Sequence, residues 1–461
     1  MSRKVNILNL EWITVTPSRD RVIASLVCNY LRYLGYSVFE GSVFNGYELI
    51  FKLKPDVLFI SNSVGASINS ELIEYASKLG IPCFSGFSEG NFRENYIHDF
   101  IWGHNKKKTF YEKKIFIWSQ KKKELTLKYY PELNSQIKIC GGIGFDLYQV
   151  RKNHFNKSKF LEKHNKNEFS KIIGVGCFDF GPFYEADSRY TNVKTKTSFS
   201  DILIFQKDRK KFHDCLEELI IANLDRLFLL KEHPSNELGQ WASGIEDLEK
   251  YKNVITLKNE ATIFDCISIS DIWITYESTT ALEAWLLNKQ TCLLNPSGGS
   301  FNRDEISNGS PLYKTTNEVQ LAIDLSCTGK TIQGYNEKSH LRSELIENTI
   351  QWNDGLNHVR TGNVLAEAIK MKNNSWGFKK IIFSVIQFQV IKQLLFWKIA
   401  IVISKYFKYF LKNPRIKSAI DMRFYEPIEI EKYSKDLMIN QQLFYEKLGL
   451  TKEQLRLIKS I

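Results

Sequence analysis

Three short polar segments carry the side chains best suited to chemistry: Ser88-Glu89-Gly90-Asn91, Lys231-Glu232-His233-Pro234-Ser235 and Glu277-Ser278-Thr279-Thr280, the last followed by Glu283. A carboxylate such as Glu89 can take the proton of a hydroxyl that must become a nucleophile. Gly90 beside it lets the backbone turn tightly against a bound molecule. The His233 imidazole can donate a hydrogen bond or a proton where negative charge builds, with Lys231 adding positive charge nearby. Pro234 stiffens that loop and delays any helix after it. Ser278, Thr279 and Thr280 open a predicted helix, where backbone N–H groups and hydroxyls together suit an anion. Glu283, a turn further on, offers an acceptor for ribose hydroxyls. Each residue also has a plain structural role open to it: a solvated loop glutamate, a packing or surface histidine, and simple N-capping.

The elements that must position these groups alternate β-rich apolar runs with amphipathic stretches. In the first third, strands are predicted at Val5–Leu10, Asp56–Ser61, Pro82–Gly86, Ile115–Trp118 and Ile137–Cys140. Helices are predicted at Ser18–Leu34, Ala66–Leu79 and Lys121–Tyr130. From Arg151 to Ser170 the pattern gives way to a Lys/Asn/His-rich stretch that reads as a linker. The rhythm then restarts with strands at Ile172–Val175, Leu227–Leu230, Val254–Leu257, Ile272–Tyr276 and Cys292–Asn295. Helices fall at Phe212–Leu224, around Thr262–Ser268 and at Thr279–Asn288. Such a rhythm predicts two parallel sheets covered by helices on both faces. Each polar segment then lies just beyond the carboxyl end of a strand, where ligands gather in open parallel sheets. Gly174 and Gly176, on and after the first strand of the second domain, would allow a ligand close approach to the backbone. They lack the third glycine of a dinucleotide fingerprint.

Composition narrows the class. The 461 residues suit two α/β domains with an appendage, and 43% hydrophobic with 25% charged residues describes a globular chain. The eight cysteines are dispersed and form no C-x-x-C pair, and Met1–Leu10 lacks the long apolar core of a signal peptide, so a reduced, cytoplasmic protein is expected. The formal charge of +12 is concentrated between Ala368 and Ile420, which contains lysines and one arginine but no acidic residue. No nucleic-acid partner follows from so local an excess.

In order and in kind of element, Glu89-Gly90, His233-Pro234 and Ser278-Thr279-Thr280 resemble the motifs of bacterial sialyltransferase-like, Kdo and polysialic acid transferases. The resemblance covers about residues 1–330. It implies the GT-B fold: two doubly wound Rossmann-like domains facing a cleft, here with a C-terminal helical, membrane-associating extension. The expected divisions are an acceptor domain over 1–150, a linker over 151–170, a donor-nucleotide domain over 171–372, a basic amphipathic segment over 373–420 and a helical cap over 421–461. It also implies Glu89 as general base and His233 on the leaving phosphate. Donor contacts would come from Gly174, Gly176, Lys231, Pro234, Ser278, Thr279, Thr280 and Glu283, with Ser88, Gly90 and Asn91 on the acceptor side. Ser88 departs from the pattern, since it stands where those families carry a first acidic residue.

The activity implied is transfer of a nonulosonic acid or Kdo from its CMP-activated form to a surface glycan, lipid-linked or growing. The absence of D-x-D in the sequence argues for a metal-independent reaction without a cofactor. Two other readings stay open: a CDP-glycerol or CDP-ribitol phosphotransferase, and a non-catalytic membrane-bound glycan-binding adaptor. Within 373–420, Lys398, Lys405 and Lys412 recur every seven residues beside apolar residues, which predicts an interfacial helix on an anionic membrane surface, at the inner face of the cell membrane. On this reading a chain ending at Asn374 stays folded.

Overall fold

The computed structural model describes residues 5–12, 19–152, 156–234, 236–258, 260–298, 304–371, 395, 399 and 427–461. The chain forms two compact units, one of Met1–Val150 with Glu347–Ile461 and one of Arg151–Ile346.

The first unit holds β1 (Ile7–Glu11), β2 (Val38–Ser42), β3 (Val57–Ile60), β4 (Cys83–Gly86), β5 (Lys114–Ile117) and β6 (Ile137–Ile139), in the order β2-β1-β3-β4-β5-β6. Every described pairing is parallel; Ile7, for example, faces Val38 on one side and Val57 on the other. The runs ILNLE and VLFI are buried throughout, as strands covered on both faces must be. β2 was not predicted, because Glu40 and Gly41 interrupt its apolar pattern. The Glu40 side chain is nevertheless enclosed, held by Arg21 at 2.7 Å and Arg32 at 2.6 Å from the Arg19–Tyr33 helix.

The second unit holds β7 (Ile172–Gly176), β8 (Leu227–Lys231), β9 (Val254–Leu257), β10 (Ile272–Thr275), β11 (Gln290–Leu294) and β12 (Leu312–Tyr313), in the order β12-β11-β10-β7-β8-β9. Its connections step outward from β7 in one direction and then from β10 in the other, so the strand order reverses between those two strands. The long helix begins at Phe199, well before the predicted Phe212. Ser198 caps it, and Ile202, Phe205, Phe212, Leu216 and Leu219 bury one stripe beneath a lysine-rich surface that obscures the period.

Three boundaries differ from the sequence-based divisions. The stretch 151–170 belongs to the second unit and contains the helix Lys157–Lys163, anchored by buried Phe160, Leu161 and Phe169. The helix Asn357–Lys370 belongs to the first unit, where it packs on Arg19–Tyr33. The C-terminal helices Pro427–Lys447 and Lys452–Leu457 join that unit too, with Tyr445 and Leu455 in one apolar cluster with Tyr30, Leu356 and Val359. A buried polar chain runs through the same place. The His358 ring meets Asp146 Oδ2 at 2.8 Å and the Tyr445 hydroxyl at 2.6 Å, and Ile461 exchanges backbone hydrogen bonds with Ile139 of β6. Except for Leu395 and Ile399, the basic segment 373–420 lies outside the described residues. Among the described residues, no helix is long and apolar enough to cross a membrane.

Candidate functional site

In the first unit, strand order reverses beside β1, and the carboxyl ends of β1, β3 and β4 gather a polar cluster. Glu11 closes β1. Its Oε1 accepts from the Ser61 N–H at 2.7 Å and from Asn9 Nδ2 at 2.8 Å, and its Oε2 from Ser61 Oγ at 2.6 Å. Asp20, in the first turn of the Arg19–Tyr33 helix, lies beside Ser88 and Asn62, and Asn62 Nδ2 donates to Ser88 Oγ at 2.7 Å. Arg19 Nη1 donates to the Ser88 carbonyl at 3.3 Å and lies 3.7 Å from the Glu89 carboxylate. Ser88 is thus buried and held by Arg19 and Asn62, while the Glu89 side chain projects outward, 74% exposed.

Gly90 is demanded by packing: a methyl group there would lie 2.5 Å from the Trp118 ring, whose indole N–H donates to the Phe87 carbonyl at 2.9 Å. Asn91 follows, half-buried. Ser61, Gly86, Phe87, Trp118 and Gly141 line a small hollow at the same end of the sheet.

Burial pushes the Glu11 carboxyl up to about 8, and the nearby Asp20 charge adds to the effect. Burial likewise raises Asp20. Sequence reasoning missed both acids. The available signal was position alone: an acid closing the first parallel strand, and another opening the helix that follows it. The rise at Glu11 has a definite sign. An acid whose carboxyl titrates near 4.5 when unfolded and near 8 when folded costs nothing below pH 4.5 and destabilises the fold progressively as pH rises to about 8. Glu11→Gln should therefore flatten the stability of the protein across pH 5–8, measured by urea unfolding at several pH values. A parallel decline in variant and parent would remove Glu11 from that dependence.

In the second unit, the last paired residues of three strands stand in one row: Thr275 of β10 faces Gly176 of β7, and Gly176 faces Lys231 of β8. The loops bearing Ser278 and His233 therefore leave the sheet on either side of β7. Lys231 is buried and its ammonium donates to the Lys258 carbonyl; Lys258 Nζ in turn donates to the Asn236 carbonyl at 2.9 Å. Asn236 fixes the loop by donating to Ser243 Oγ at 2.9 Å, and its N–H reaches back to the His233 carbonyl at 3.2 Å. His233 and Pro234 form the exposed part of this pinned turn.

After β10, Ser278 Oγ accepts from the Thr280 N–H at 3.1 Å, and Thr280 Oγ1 accepts from the Trp273 indole at 3.0 Å. Thr279 occupies the N-cap position without a side-chain capping bond. Glu283 is buried in the seven-residue helix Thr280–Leu286. The space beside Gly174 and Gly176 is filled by the Trp273 ring, together with Ser270 Oγ and Thr280 Oγ1 respectively. Both glycines thus make room for this side chain. All eight cysteines are free thiols. Among the described residues, no group of three or more His, Cys, Asp or Glu side chains is placed to hold a metal ion.

Solved structures share this architecture. A UDP-GlcNAc 2-epimerase from Neisseria meningitidis bound to UDP-GlcNAc matches with a TM-score of 0.50 at 12% identity, over 80% of this chain and all of its own. A further UDP-N-acetylglucosamine 2-epimerase matches at 0.51 and 13% identity, over 81% of this chain and 98% of its own. The S. aureus protein MnaA, solved with UDP, gives 0.50 and 12%, over 80% and 98%.

The fold is GT-B.

Identities this low establish the architecture and no more. No family model matches the sequence, and no curated protein matches it either.

Proposed function

We propose that this GT-B protein is a glycosyltransferase that takes a nonulosonic acid or Kdo from its CMP-activated form and joins it to a hydroxyl of a surface glycan. The observation that carries this reading is the row Thr275, Gly176 and Lys231, because it sets the His233 turn and the Ser278–Thr280 turn on either side of one strand end at the reversal of strand order. The donor phosphate is assigned to these turns, with His233 and Thr279 as donors and Glu283 toward the ribose. Lys231 acts from beneath by fixing the loop through Lys258. In the first unit, Glu89 takes the proton of the acceptor hydroxyl as that oxygen bonds to the sugar carbon. The bond from that carbon to the phosphate oxygen breaks, and CMP leaves with the electron pair. His233 hydrogen-bonds the departing phosphate as its charge grows. Arg19 and Asn62 are positioning residues, because they fix Ser88 and so the turn that presents Glu89.

Two of the similar structures hold UDP-GlcNAc and UDP, so the base is a point for direct test. His233→Ala should lower turnover and weaken donor binding together, each by roughly tenfold or more, since the contact forms before bond breaking and strengthens during it. The measurement is the release of CMP with acceptor present, alongside donor binding by calorimetry. An unchanged rate and affinity would return His233 to a surface role.

A further inference from the structure

The long helix Phe199–Ala222 leaves part of its surface uncovered. Phe199 and Leu203, one turn apart, are 69% and 48% exposed, and exposed Lys207 and Lys210 continue the same face. From Phe199 to Lys210 this stripe runs about 16 Å. The short helix Tyr190–Lys194 and the turn after it add Lys194 and Lys196, both exposed. The turn is ordered: the Thr197 N–H donates to the Val193 carbonyl, and Ser198 Oγ accepts from the Asp201 N–H at 3.1 Å.

Two neighbouring charges are turned inward, while the exposed acids Asp214 and Glu218 lie further along the helix and exposed Glu185 precedes it. Asp208 is buried and accepts from the Tyr276 hydroxyl at 2.6 Å, and Arg209 pairs with Glu246 at 2.6 Å. Half-buried Asp201 is the acid of the helix's first turn. The outward face is therefore a two-residue apolar tip set among four lysines.

Two apolar side chains are far too little to build the core of an ordinary protein–protein interface. They do suit a bilayer surface, where apolar side chains enter the headgroup boundary and ammonium groups lie against lipid phosphates. We propose that the N-terminal end of the Phe199–Ala222 helix docks on an anionic lipid bilayer, with Phe199 and Leu203 inserted at headgroup level and Lys194, Lys196, Lys207 and Lys210 against the phosphates. This contact uses no residue of 373–420 and does not depend on the sugar chemistry.

The test places a reporter at the tip of the full-length chain. Cys215, the half-buried thiol, is changed to serine, and Leu203→Cys carries an environment-sensitive fluorophore; the other seven thiols are buried. With phosphatidylglycerol vesicles the emission should shift to the blue and be quenched by spin-labelled lipid. Both effects should be lost with phosphatidylcholine vesicles, and lost when Lys194, Lys207 and Lys210 are changed to glutamate. The same label at Leu321, exposed on the Thr316–Cys327 helix, should stay unchanged. Vesicle sedimentation without an emission change at position 203 would overturn the proposal, as would no vesicle binding or an equal response to neutral lipid. A blue shift that grows with protein concentration in the absence of lipid would replace the bilayer with a second copy of the chain.

Discussion

Glu89→Gln should lower sugar transfer by about 100-fold or more, the usual scale for loss of a general base, while donor affinity stays within about twofold. The amide preserves shape and removes only the ability to take a proton. The surroundings make this substitution clean. Glu89 is largely exposed, and the turn that presents it is held through Ser88 by Arg19 and by Asn62, whose bond to Ser88 Oγ does not involve Glu89. Steady-state transfer with a saturating acceptor, compared with calorimetric donor binding, separates the two effects. A variant with most of its turnover intact would remove Glu89 from the mechanism and leave Asp20, in the adjoining helix, as the carboxylate to examine.

Ending the chain at Asn374 should prevent the first unit from folding. The deletion removes Tyr445 and Leu455 from their cluster with Tyr30, Leu356 and Val359, and it strips the backbone partner of Ile139 at β6. It also leaves the His358 ring and Asp146 buried without the Tyr445 hydroxyl. Loss of one large buried aromatic alone costs about 3–5 kcal/mol, a large share of the 5–15 kcal/mol that stabilises a typical domain. The truncated chain should therefore be insoluble on expression, or show no cooperative unfolding of the first unit by circular dichroism. A soluble truncated protein with a transition like that of the full chain would show that residues 427–461 are dispensable. The single substitution Tyr445→Phe keeps the ring and removes the hydroxyl, and it should cost far less.

The first expectation and this one draw on different parts of the chain, and they show where the sequence was readable. Strands such as Val254–Leu257 announce themselves as short apolar runs bounded by polar turns, because burial on both faces leaves no room for alternation. The placement of Ser88–Asn91, the His233 turn and the Ser278 turn after strands followed from the same rhythm. β2 was hidden because its polarity is answered by Arg21 and Arg32, partners on another element. Glu11 was hidden for a similar reason: an acid at the end of a strand looks solvated until Ser61 and Asn9 are brought around it. The C-terminal helices read as a mixed-charge cap since Tyr445, Leu455 and Ser434 find their buried neighbours hundreds of residues away. The sequence likewise does not reveal that Trp273 occupies the space beside Gly174 and Gly176.

The most direct measurement of the central claim uses the full-length protein with a glycan acceptor and a panel of donors: CMP-activated nonulosonic acids and Kdo, UDP-GlcNAc and CDP-glycerol, each with and without EDTA. Thermal stabilisation and the released nucleotide are followed together, because a ligand that binds only the folded state raises the apparent melting temperature by mass action. The account predicts that a CMP-sugar stabilises the protein, that CMP appears in step with sugar on the acceptor, and that EDTA changes neither. Conversion of UDP-GlcNAc to its 2-epimer, release of CMP from CDP-glycerol alone, or no response to any donor would contradict it.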